Sequence, residues 1–500
     1  MSLKRGSASP MFLHQLLVSL ILLASLQVQV MSQVQGVIVI ARGGDRSEFY
    51  QDPKTYAPTF TETTPLGEVQ CHALGSLLRN EYFVQGSPSF IQGIRAELVD
   101  THQVAVRVKG GGEGPVVFDS AIATLQGLFP PTPKNTMTLS NGMQITAPLG
   151  GYQYVPVQTV EPDNDRSMES WTDCPAFQKH VEAFHKSEEF KKKAAEAELF
   201  FKGVKDFIFG REETLENIWN VYDFINSELA HNQTYAFRLP PSYKDQAQAL
   251  ADYHEAGVFG GKELGGIGNI AGRSTLATVL ETLERIAFNG DPLQFMLLES
   301  SYQPLISILK MTGLTKDHPE LEGIPDYASA LVIELRRGAP PDTRDFLRFK
   351  FKNGTNDFET LHAFGHNADI PLTEFIFRTE NYVISSNSQW KSVCGASFAP
   401  FQLPSFAKLP TIGAKSMSQT ASSCIFAFFA LFGLFIFSSV VRRNRARNAE
   451  GRLRLPGAEA WCLLQPRGPQ FTGAIEGTWH CSQGVVLVLA LIWGMIIDHW

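Results

Sequence analysis

The sequence predicts an α/β domain with a helical cap, followed by a stalk and one C-terminal membrane helix. Apolar strands alternate with amphipathic helices in the first and last parts of the domain, which is the pattern of an α/β sheet. A predominantly helical stretch, 167–287, interrupts that alternation like an insertion. A late apolar run, 424–441, is long enough to cross a bilayer, for which about 17–25 residues are needed.

The N-terminus has the pattern of a secretory signal. Lys4 and Arg5 precede the apolar run 11–30, and a charged segment followed by an apolar one is typical of a signal peptide. The small residue Ser32 places a cleavage site nearby, with an uncleaved anchor as the alternative. We therefore assign 1–32 to the signal peptide and 33–405 to the folded domain.

The first half of the domain contains two strands and two helices in alternation. QGVIVIARGG indicates a buried strand that ends in a glycine loop. TPLGEVQCHALGSLLRNEYF predicts a helix, because its apolar positions recur at helical spacing and Thr64-Pro65 suits a helix N-terminus. VAVRVKG alternates like a strand, and after the loop GGGEG a second helix ends at Pro130-Pro131.

The second half repeats the alternation after the helical insertion. The short apolar run PLQFMLLES is followed by a helix, YQPLISILKMTGL. YASALVIELRRG and FLRFKFKNG then predict a pair of strands that meet at the turn GAPPDT. This order of elements places the helical insertion between two parts of one sheet.

Composition excludes several classes of function. The formal net charge is -7, and the soluble part has no stripe of basic and aromatic residues, which excludes nucleic acid as an expected partner. HVEAFH lacks the i, i+4 histidine spacing of a zinc helix, and the glycines of GGKELGGIGN lack the Lys-Ser/Thr of a phosphate loop. We therefore expect no metal and no cofactor.

Covalent features fit the secretory pathway. Cys174 and Cys394 lie in the folded domain and can form one disulfide, although spacing alone does not fix connectivity. Asn232 (NQT) and Asn353 (NGT) are candidate glycosylation sites.

The C-terminal region predicts a single-pass type I membrane protein. A Ser/Thr/Pro stalk, 406–423, leads to the predicted span 424–441, for which a buried core helix is the alternative. The arginines of RRNRAR follow at once, so the tail 442–500 is expected in the cytoplasm and the domain in the lumen or outside the cell. The final apolar segment, 484–497, is either a weak second membrane segment or an artefact of a mispredicted gene end.

The glycine loop and the helix after it resemble the start of the histidine acid phosphatases. That family has Arg-His-Gly-x-Arg-x-Pro after a strand, then a helix of the pattern Leu-Thr-x-x-Gly-x-x-Gln-x-x-x-Leu-Gly-x-x-Leu-Arg. The first part corresponds to Arg42-Gly43-Gly44-Asp45-Arg46. The positions that match the second part are Thr64, Gly67, Gln70, Leu74, Gly75, Leu78, Arg79 and Tyr82.

The resemblance covers about 37–403, and segments such as QDPKTYAPT are most similar to a fungal branch called phosphoglycerate mutase-like. It implies a three-layer α/β fold with a helical cap and a lineage of phosphomonoester hydrolysis at acidic pH. In that chemistry a histidine attacks phosphorus, arginines hold the phosphate oxygens, and a carboxylate transfers the proton.

This chain departs from the family pattern at the reacting groups. Gly43 stands at the nucleophile position, and the family's later His-Asp pair aligns with Ser301 and Tyr302. Arg42 and Arg46 retain the two arginine positions of the first motif. The resemblance places the next phosphate-binding cation near Arg107, with Lys109 as the alternative because the register is open.

Three functions follow as hypotheses. The first is a pseudophosphatase that binds phosphate or another anion through Arg42, Arg46 and Arg107, in a pocket enlarged by Gly43. The second is an active acid phosphatase with a rearranged site, which would use Glu299 as the carboxylate and a histidine from elsewhere. The candidates for that histidine are His72, His254, His362 and His366. The third is a non-catalytic cell-surface structural protein, in which Arg42 and Arg46 are ordinary surface or salt-bridged residues.

Overall fold

The computed structural model describes residues 32–395. The predicted stalk, membrane helix and tail, and the signal peptide up to residue 31, lie outside them. The strands are β1 (Gln33–Arg42), β2 (Val104–Lys109), β3 (Thr136–Thr138), β4 (Gln144–Thr146), β5 (Gln158–Val160), β6 (Phe295–Ser300), β7 (Ala330–Arg337), β8 (Asp345–Lys352), β9 (Glu359–Leu361) and β10 (Ile370–Pro371). The helices are α1 (Pro65–Tyr82), α2 (Gly114–Leu128), α3 (Pro175–His185), α4 (Glu188–Val204), α5 (Ile218–His231), α6 (Gln233–Arg238), α7 (Pro241–Phe259), α8 (Ile270–Ala287), α9 (Gln303–Met311), α10 (Leu372–Thr379) and α11 (Asn387–Cys394).

One mixed sheet has the strand order β10-β8-β7-β1-β6-β2-β5, with β9 paired to β8, while β3 and β4 pair only with each other. The strands β1, β6, β2 and β5 are parallel, and β7 joins β1 antiparallel. In the central pair, Arg42 lies opposite Ser300. The ends of β1 and β6 therefore meet at one edge of the sheet, where ligands of open α/β sheets bind.

Helices cover both faces of this sheet. On one face, α1 and α2 pack against Val39, Ala41 and Leu297, and on the other, α8 and α9 pack against Ile38 and Ile40. Helix α1 begins where the sequence predicts, because the Thr64 hydroxyl accepts from the Gly67 backbone N–H (3.2 Å). The three layers are thus helix, sheet and helix.

The helical insertion forms a separate apolar cluster built from α3 to α7. Aromatic rings fill it, and Trp219 stacks on Tyr56 with ring centroids 4.9 Å apart. A disulfide joins Cys174 and Cys394, whose Cα atoms are 4.9 Å apart, and it ties the start of α3 to the end of α11. This cluster is the cap over the edge of the sheet where β1 ends.

The predicted α/β fold is confirmed at the level of a sheet with helices on both sides and a helical insertion. The strand pair flanking GAPPDT is β7 and β8. The predicted membrane span cannot be placed in this fold, because 424–441 lies outside the described residues. Among residues 32–395, no helix has both the length and the apolar character to cross a membrane.

Candidate functional site

The glycine loop 43–46 lies at the end of β1 and rests on the first turn of α1. A Cβ atom on Gly44 would lie 2.3 Å from the Gly67 carbonyl oxygen, and one on Gly67 would lie 2.1 Å from that of Asp45. Only two glycines allow this approach of loop and helix. The contact fixes the loop, and it explains why the motif requires glycine at both positions.

The backbone N–H groups of this loop are used inside the protein. Gly43 N donates to the Ser300 carbonyl (3.2 Å), and Gly44 N donates to the Ser120 hydroxyl (3.0 Å). The next N–H, that of Asp45, donates to Gln70 Oε1 (2.9 Å). A bound anion would therefore have to find its donors among the side chains.

Arg46 is held between two carboxylates. Its Nε donates to Glu113 Oε2 (3.1 Å), and its Nη1 and Nη2 contact the two oxygens of Asp223 (3.0 and 2.8 Å). Burial of Arg46 alone lowers its pKa, but Asp223, Tyr327 and Glu113 outweigh that effect and hold the pKa well above its usual value. Asp223 belongs to α5, so this ion pair joins the cap to the sheet.

Arg42 lies beside Arg46 and is also buried. Its Nη1 donates to the Pro325 carbonyl, and its guanidinium lies over the Tyr327 ring, 4.3 Å from the centroid. The Tyr302 ring is 5.4 Å from the same group. Aromatic faces therefore stabilise this cation, and no carboxylate forms an ion pair with it among the described residues.

The space at Gly43 is small. The enclosed volume is about 10 Å³, which is room for about one water molecule. The residues around it are Arg42, Gly43, Gly44, Arg46, Glu113, Val116, Val117, Ser300, Ser301 and Tyr327. The structure therefore shows a small space at Gly43, bordered by Tyr327 and Glu113, where we expected an enlarged pocket.

No histidine in the described part of the chain lines this space. Of the four rescue candidates, His72 lies in the groove between α1 and α2 with Glu68 and Asp119. His254 is buried in the cap against Glu255, and His366 pairs with Glu374. His362 precedes a short helical turn. None of the four candidate histidines therefore lines the space at Gly43.

Ser300 and Ser301 are side chains at the site whose hydroxyl groups are free to bind a ligand. Both hydroxyls are buried and have no hydrogen-bond partner among the described residues. They lie at the end of β6, across from Gly43. Together with the unpaired N–H groups of Arg42, they are the groups available to a small ligand.

Tyr302 turns away from the site into the cap. Its hydroxyl donates to Glu255 Oε2 (2.8 Å), and the other oxygen of Glu255 accepts from Tyr56 (2.7 Å) and contacts His254 Nδ1 (2.9 Å). Burial, and then Glu255, raise the pKa of Tyr302 well above its usual value. The family's proton-donor position is therefore part of a structural network here.

Glu299 does not replace the missing carboxylate. It is fully buried on the face covered by α1 and α2, it is not among the residues around Gly43, and neither oxygen has a hydrogen-bond partner among the described residues. Burial raises its pKa to about 8. Burial also raises the pKa of the neighbouring Cys71 thiol to about 12, and Glu299 is the second-largest cause of that rise.

Arg107 and Lys109 are both paired outside the site. Arg107 donates to Asp165 (2.7 Å) and Thr278 (3.1 Å), and it does not border the space at Gly43. Lys109 forms a buried pair with Glu169 (3.1 Å). The structure therefore brings Arg42 and Arg46 together and leaves Arg107 apart.

The remaining predicted positions lie away from the site. Asn232 is exposed at the start of α6, and Asn353 is half-buried after β8, where its Oδ1 accepts from Asp326 N and Ser329 Oγ. Within residues 32–395 no group of three His, Cys, Asp or Glu side chains is placed to hold a metal ion.

Sequence reasoning missed Glu113 and Asp223, which complete the site. Glu113 lies in the loop GGGEG, and Asp223 lies in the helical insertion. These two carboxylates are recognised only in the folded protein, where they lie near the two arginines. The sequence has no local pattern that identifies them.

Comparison with known proteins identifies the lineage. No family model matches the chain. It is 27% identical to lysosomal acid phosphatase of Pongo abelii over 410 residues (79% of this chain, 88% of that protein) and 26% identical to that of Homo sapiens over 377 residues (73% and 81%).

Solved structures agree with the fold. Hafnia alvei phytase in complex with myo-inositol hexakis sulphate has a TM-score of 0.51 at 12% identity, covering 73% of this chain and 99% of that chain. Its apo form has a TM-score of 0.50 at 12% identity, covering 73% and 98%. With the Arg-Gly-Gly-Asp-Arg loop at the end of β1 and the acid phosphatases as sequence relatives, these similarities support the histidine acid phosphatase family for this chain.

Proposed function

We propose that this protein is a pseudophosphatase, a member of the family that binds a small anion without hydrolysing phosphomonoesters. The observation that carries the proposal is the site at Gly43, which lacks a nucleophile and a proton donor but keeps two buried arginines. Removing the nucleophile of another hydrolase lowers turnover about 10⁶-fold even when its other groups remain. Here Ser301 and Tyr302 replace the other two reacting groups as well.

A phosphatase assay tests the first half of the proposal. We expect negligible release of phosphate from simple phosphomonoesters by the purified protein. A turnover near 1 per second, the low end of ordinary enzymes, would support the rearranged-site alternative if Arg42→Ala abolished it. The control separates turnover at this site from a contaminating phosphatase.

Anion binding at this site requires competition with the protein's own carboxylates. Glu113 and Asp223 pair with Arg46, so an incoming anion must displace at least one of them. Hydrogen bonds to charged groups contribute about 1.5–3 kcal/mol each, which is enough for millimolar affinity after that displacement. The similar Hafnia alvei phytase is known in complexes with tartrate and with myo-inositol hexakis sulphate, which supports an anion as the ligand.

The melting temperatures of the wild type and of two variants, with and without an added anion, test anion binding. A ligand that binds only the native state raises the melting temperature. We expect millimolar phosphate, sulfate or a sugar phosphate to stabilise the wild type slightly and Asp223→Asn more, because the amide gives up Arg46 more easily than the carboxylate. The double change Arg42→Ala and Arg46→Ala should abolish both effects.

The second candidate function is that of a rigid structural domain at the cell surface. The small volume of the site favours it. The enclosed space is about 10 Å³, and a phosphate group needs several times that volume. Three polar contacts also join the cap to the glycine loop region: the ion pairs Arg46–Asp223 and Arg211–Glu48, and the contact between His231 and Asp45. If no anion shifts the melting temperature of either the wild type or Asp223→Asn, this function replaces the first.

We also propose that the domain lies in a secretory lumen or outside the cell, anchored by 424–441 in the bilayer. The disulfide between Cys174 and Cys394 supports an oxidising compartment, and Asn232 is exposed for glycosylation. Glycosidase should lower the mass through Asn232 or Asn353, and protease added to sealed vesicles should cut only the tail. An unglycosylated domain cut in such vesicles would reverse the topology.

A further inference from the structure

Asparagine followed by glycine occurs three times in this sequence, at Asn141-Gly142, Asn289-Gly290 and Asn353-Gly354. Such a pair can rearrange without an enzyme, because the glycine nitrogen can reach the amide carbon of the asparagine side chain and has no side chain beside it to obstruct the approach. All three glycines have a positive φ, of 81°, 63° and 55° in chain order. The three pairs therefore share their local chemistry, and the contacts that each makes decide how readily it reacts.

The pair Asn353-Gly354 is held by the fold. The Gly354 N–H donates to the Ser329 hydroxyl (2.8 Å), and Asn353 Oδ1 accepts from the Asp326 N–H and from Ser329 Oγ (both 2.9 Å). Gly354 is buried and Asn353 is half-buried. The nitrogen that would attack is therefore engaged as a donor, and the side chain that it would attack is fixed in place.

The pair Asn141-Gly142 is exposed but hydrogen-bonded. The Gly142 N–H donates to the Leu139 carbonyl (2.9 Å), and Asn141 Oδ1 accepts from the Met143 N–H (3.0 Å), as asparagine side chains often do in turns. Both bonds must break before the nitrogen can reach the side-chain carbon. We therefore expect this pair to react slowly.

The pair Asn289-Gly290 has neither restraint. It follows the end of α8, both of its residues are exposed, and a Cβ atom built on Gly290 would meet nothing within 4 Å. Neither the Asn289 side chain nor the Gly290 N–H has a hydrogen-bond partner among residues 32–395. The attacking nitrogen and the amide carbon are thus free to approach each other in contact with water.

We propose that Asn289 is a site of spontaneous modification, at which the Gly290 nitrogen attacks the side-chain carbon Cγ. The nitrogen gives its proton to solvent and forms a new N–Cγ bond, which closes a succinimide ring. The original bond from Cγ to the side-chain nitrogen breaks, and that nitrogen takes up a proton and leaves as ammonia. Water then opens the ring at either carbonyl, which yields aspartate or isoaspartate without any oxidant or reductant.

The modification places a carboxylate beside an existing ion pair. Asp291 pairs with Arg285 (2.8 Å) and accepts from the Leu293 N–H (2.9 Å), which fixes the turn from α8 into β6. A negative charge near the C-terminal end of a helix is unfavourable, and isoaspartate also adds one carbon atom to the main chain. We therefore expect the modified protein to melt at a lower temperature than Asn289→Asp, which adds the charge alone. This inference is independent of the proposed function, since it uses none of the residues at Gly43.

Peptide mapping of the purified full-length protein, aged at pH 8 in heavy-oxygen water, tests this. We expect the Asn289 peptide to lose ammonia, to gain one heavy oxygen atom and to contain isoaspartate when it is fragmented. The Asn141 peptide should convert roughly tenfold more slowly, because its hydrogen bonds must break first. The peptide with unglycosylated Asn353 should stay unchanged. Gly290→Ala should slow conversion at Asn289 and leave the rate at Asn141 as it is.

The same incubation in guanidinium chloride separates the effect of the fold from that of the local sequence. In the unfolded chain we expect the three pairs to convert at similar rates. Conversion of Asn289 in the folded protein no faster than that of Asn353 overturns the proposal, as does faster conversion of Asn141 than of Asn289. An unchanged ranking in guanidinium chloride would assign the difference to the neighbouring residues in the chain and would also overturn it.

Discussion

Two glutamates, Glu255 in the cap and Glu299 at the end of β6, are both fully buried but have opposite surroundings. Glu255 is bound by Tyr56, Tyr302 and His254, while Glu299 has no hydrogen-bond partner among the described residues. A buried carboxylate must be paired or must give up its charge. Glu255 is paired, and Glu299, with a pKa of about 8, is neutral at the pH of most compartments.

The comparison bears on the position that the resemblance assigns to the proton donor. Tyr302 stands at the proton-donor position and gives its hydroxyl to Glu255, so a position that the resemblance assigns to chemistry now holds the cap to β6. Glu299 lies three positions earlier on the other face of the sheet and cannot take over that chemistry, because it does not reach the space at Gly43. Glu255 is therefore held in the hydrogen-bond network of the cap, and Glu299 remains protonated.

Removing the paired carboxylate should have the largest effect. Glu255→Ala leaves two buried tyrosine hydroxyls and the His254 imidazole without their acceptor, and each unsatisfied buried group costs about 1–3 kcal/mol. Urea denaturation at pH 6 measures the free energy of unfolding. Glu284→Ala, an exposed change on α8, is the control and should cost under about 0.5 kcal/mol. A cost below about 1 kcal/mol for Glu255→Ala would contradict the network.

Glu299, which has no hydrogen-bond partner among the described residues, should instead make the free energy of unfolding depend on pH. The pKa of Glu299 is about 8 in the folded protein and near 4.5 when unfolded, so between these values only the folded state keeps the proton. Its contribution is fully present below about pH 4.5 and is lost as the pH rises through about 8. The loss between pH 5 and pH 8 is of the order of 2–4 kcal/mol.

Glu299→Gln isolates that contribution, because a neutral amide of the same shape does not titrate. We expect the wild type and Glu299→Gln to have similar urea midpoints at pH 5, and the variant to be the more stable at pH 8. Glu284→Gln serves as the exposed control and should follow the wild type at every pH. Parallel curves for Glu299→Gln and the wild type would show that Glu299 is ionised or solvated in the folded state.

The sequence predicts the strands and helices because local sequence patterns determine them. Apolar alternation identifies β1 and β7, helical spacing and Thr64-Pro65 identify α1, and both lie where expected. The α1 pattern also led to the right family, because Gly67 is needed for contact with Gly44. Such features depend on neighbours in the chain or on a motif, so reading along the sequence finds them.

The state of the site could not be predicted because its partners are distant in the chain. Arg46 binds Glu113, 67 residues away, and Asp223, 177 residues away, and no local pattern joins these three. Replacing histidine with glycine suggested a larger space, but the space is small and bordered by Tyr327 and Glu113. The choice between Arg107 and Lys109 could not be made from the sequence for a similar reason, since both lie on β2 and only their partners, Asp165 and Glu169, distinguish their surroundings.

Restoring the family nucleophile should have the smallest effect of all on the protein. A Cβ atom at Gly43 would lie 3.1 Å from the Ser120 hydroxyl, and φ at this position is not positive, so the backbone accepts a side chain here. The imidazole must also displace side chains around a space of only about 10 Å³. We expect Gly43→His to cost about 1–3 kcal/mol of stability and to leave turnover negligible. Reacting groups act as a unit, and when one is missing the others contribute little. With Ser301 and Tyr302 unchanged, the new imidazole has neither its companion histidine nor a proton donor.

Adding Ser301→His and Tyr302→Asp would supply both, but the new aspartate would remove a hydrogen bond from Glu255 and place a second carboxyl beside it. Turnover near 1 per second by Gly43→His alone would show that the site had lost only its nucleophile, and the conversion of Tyr302 to a structural role would then be incidental.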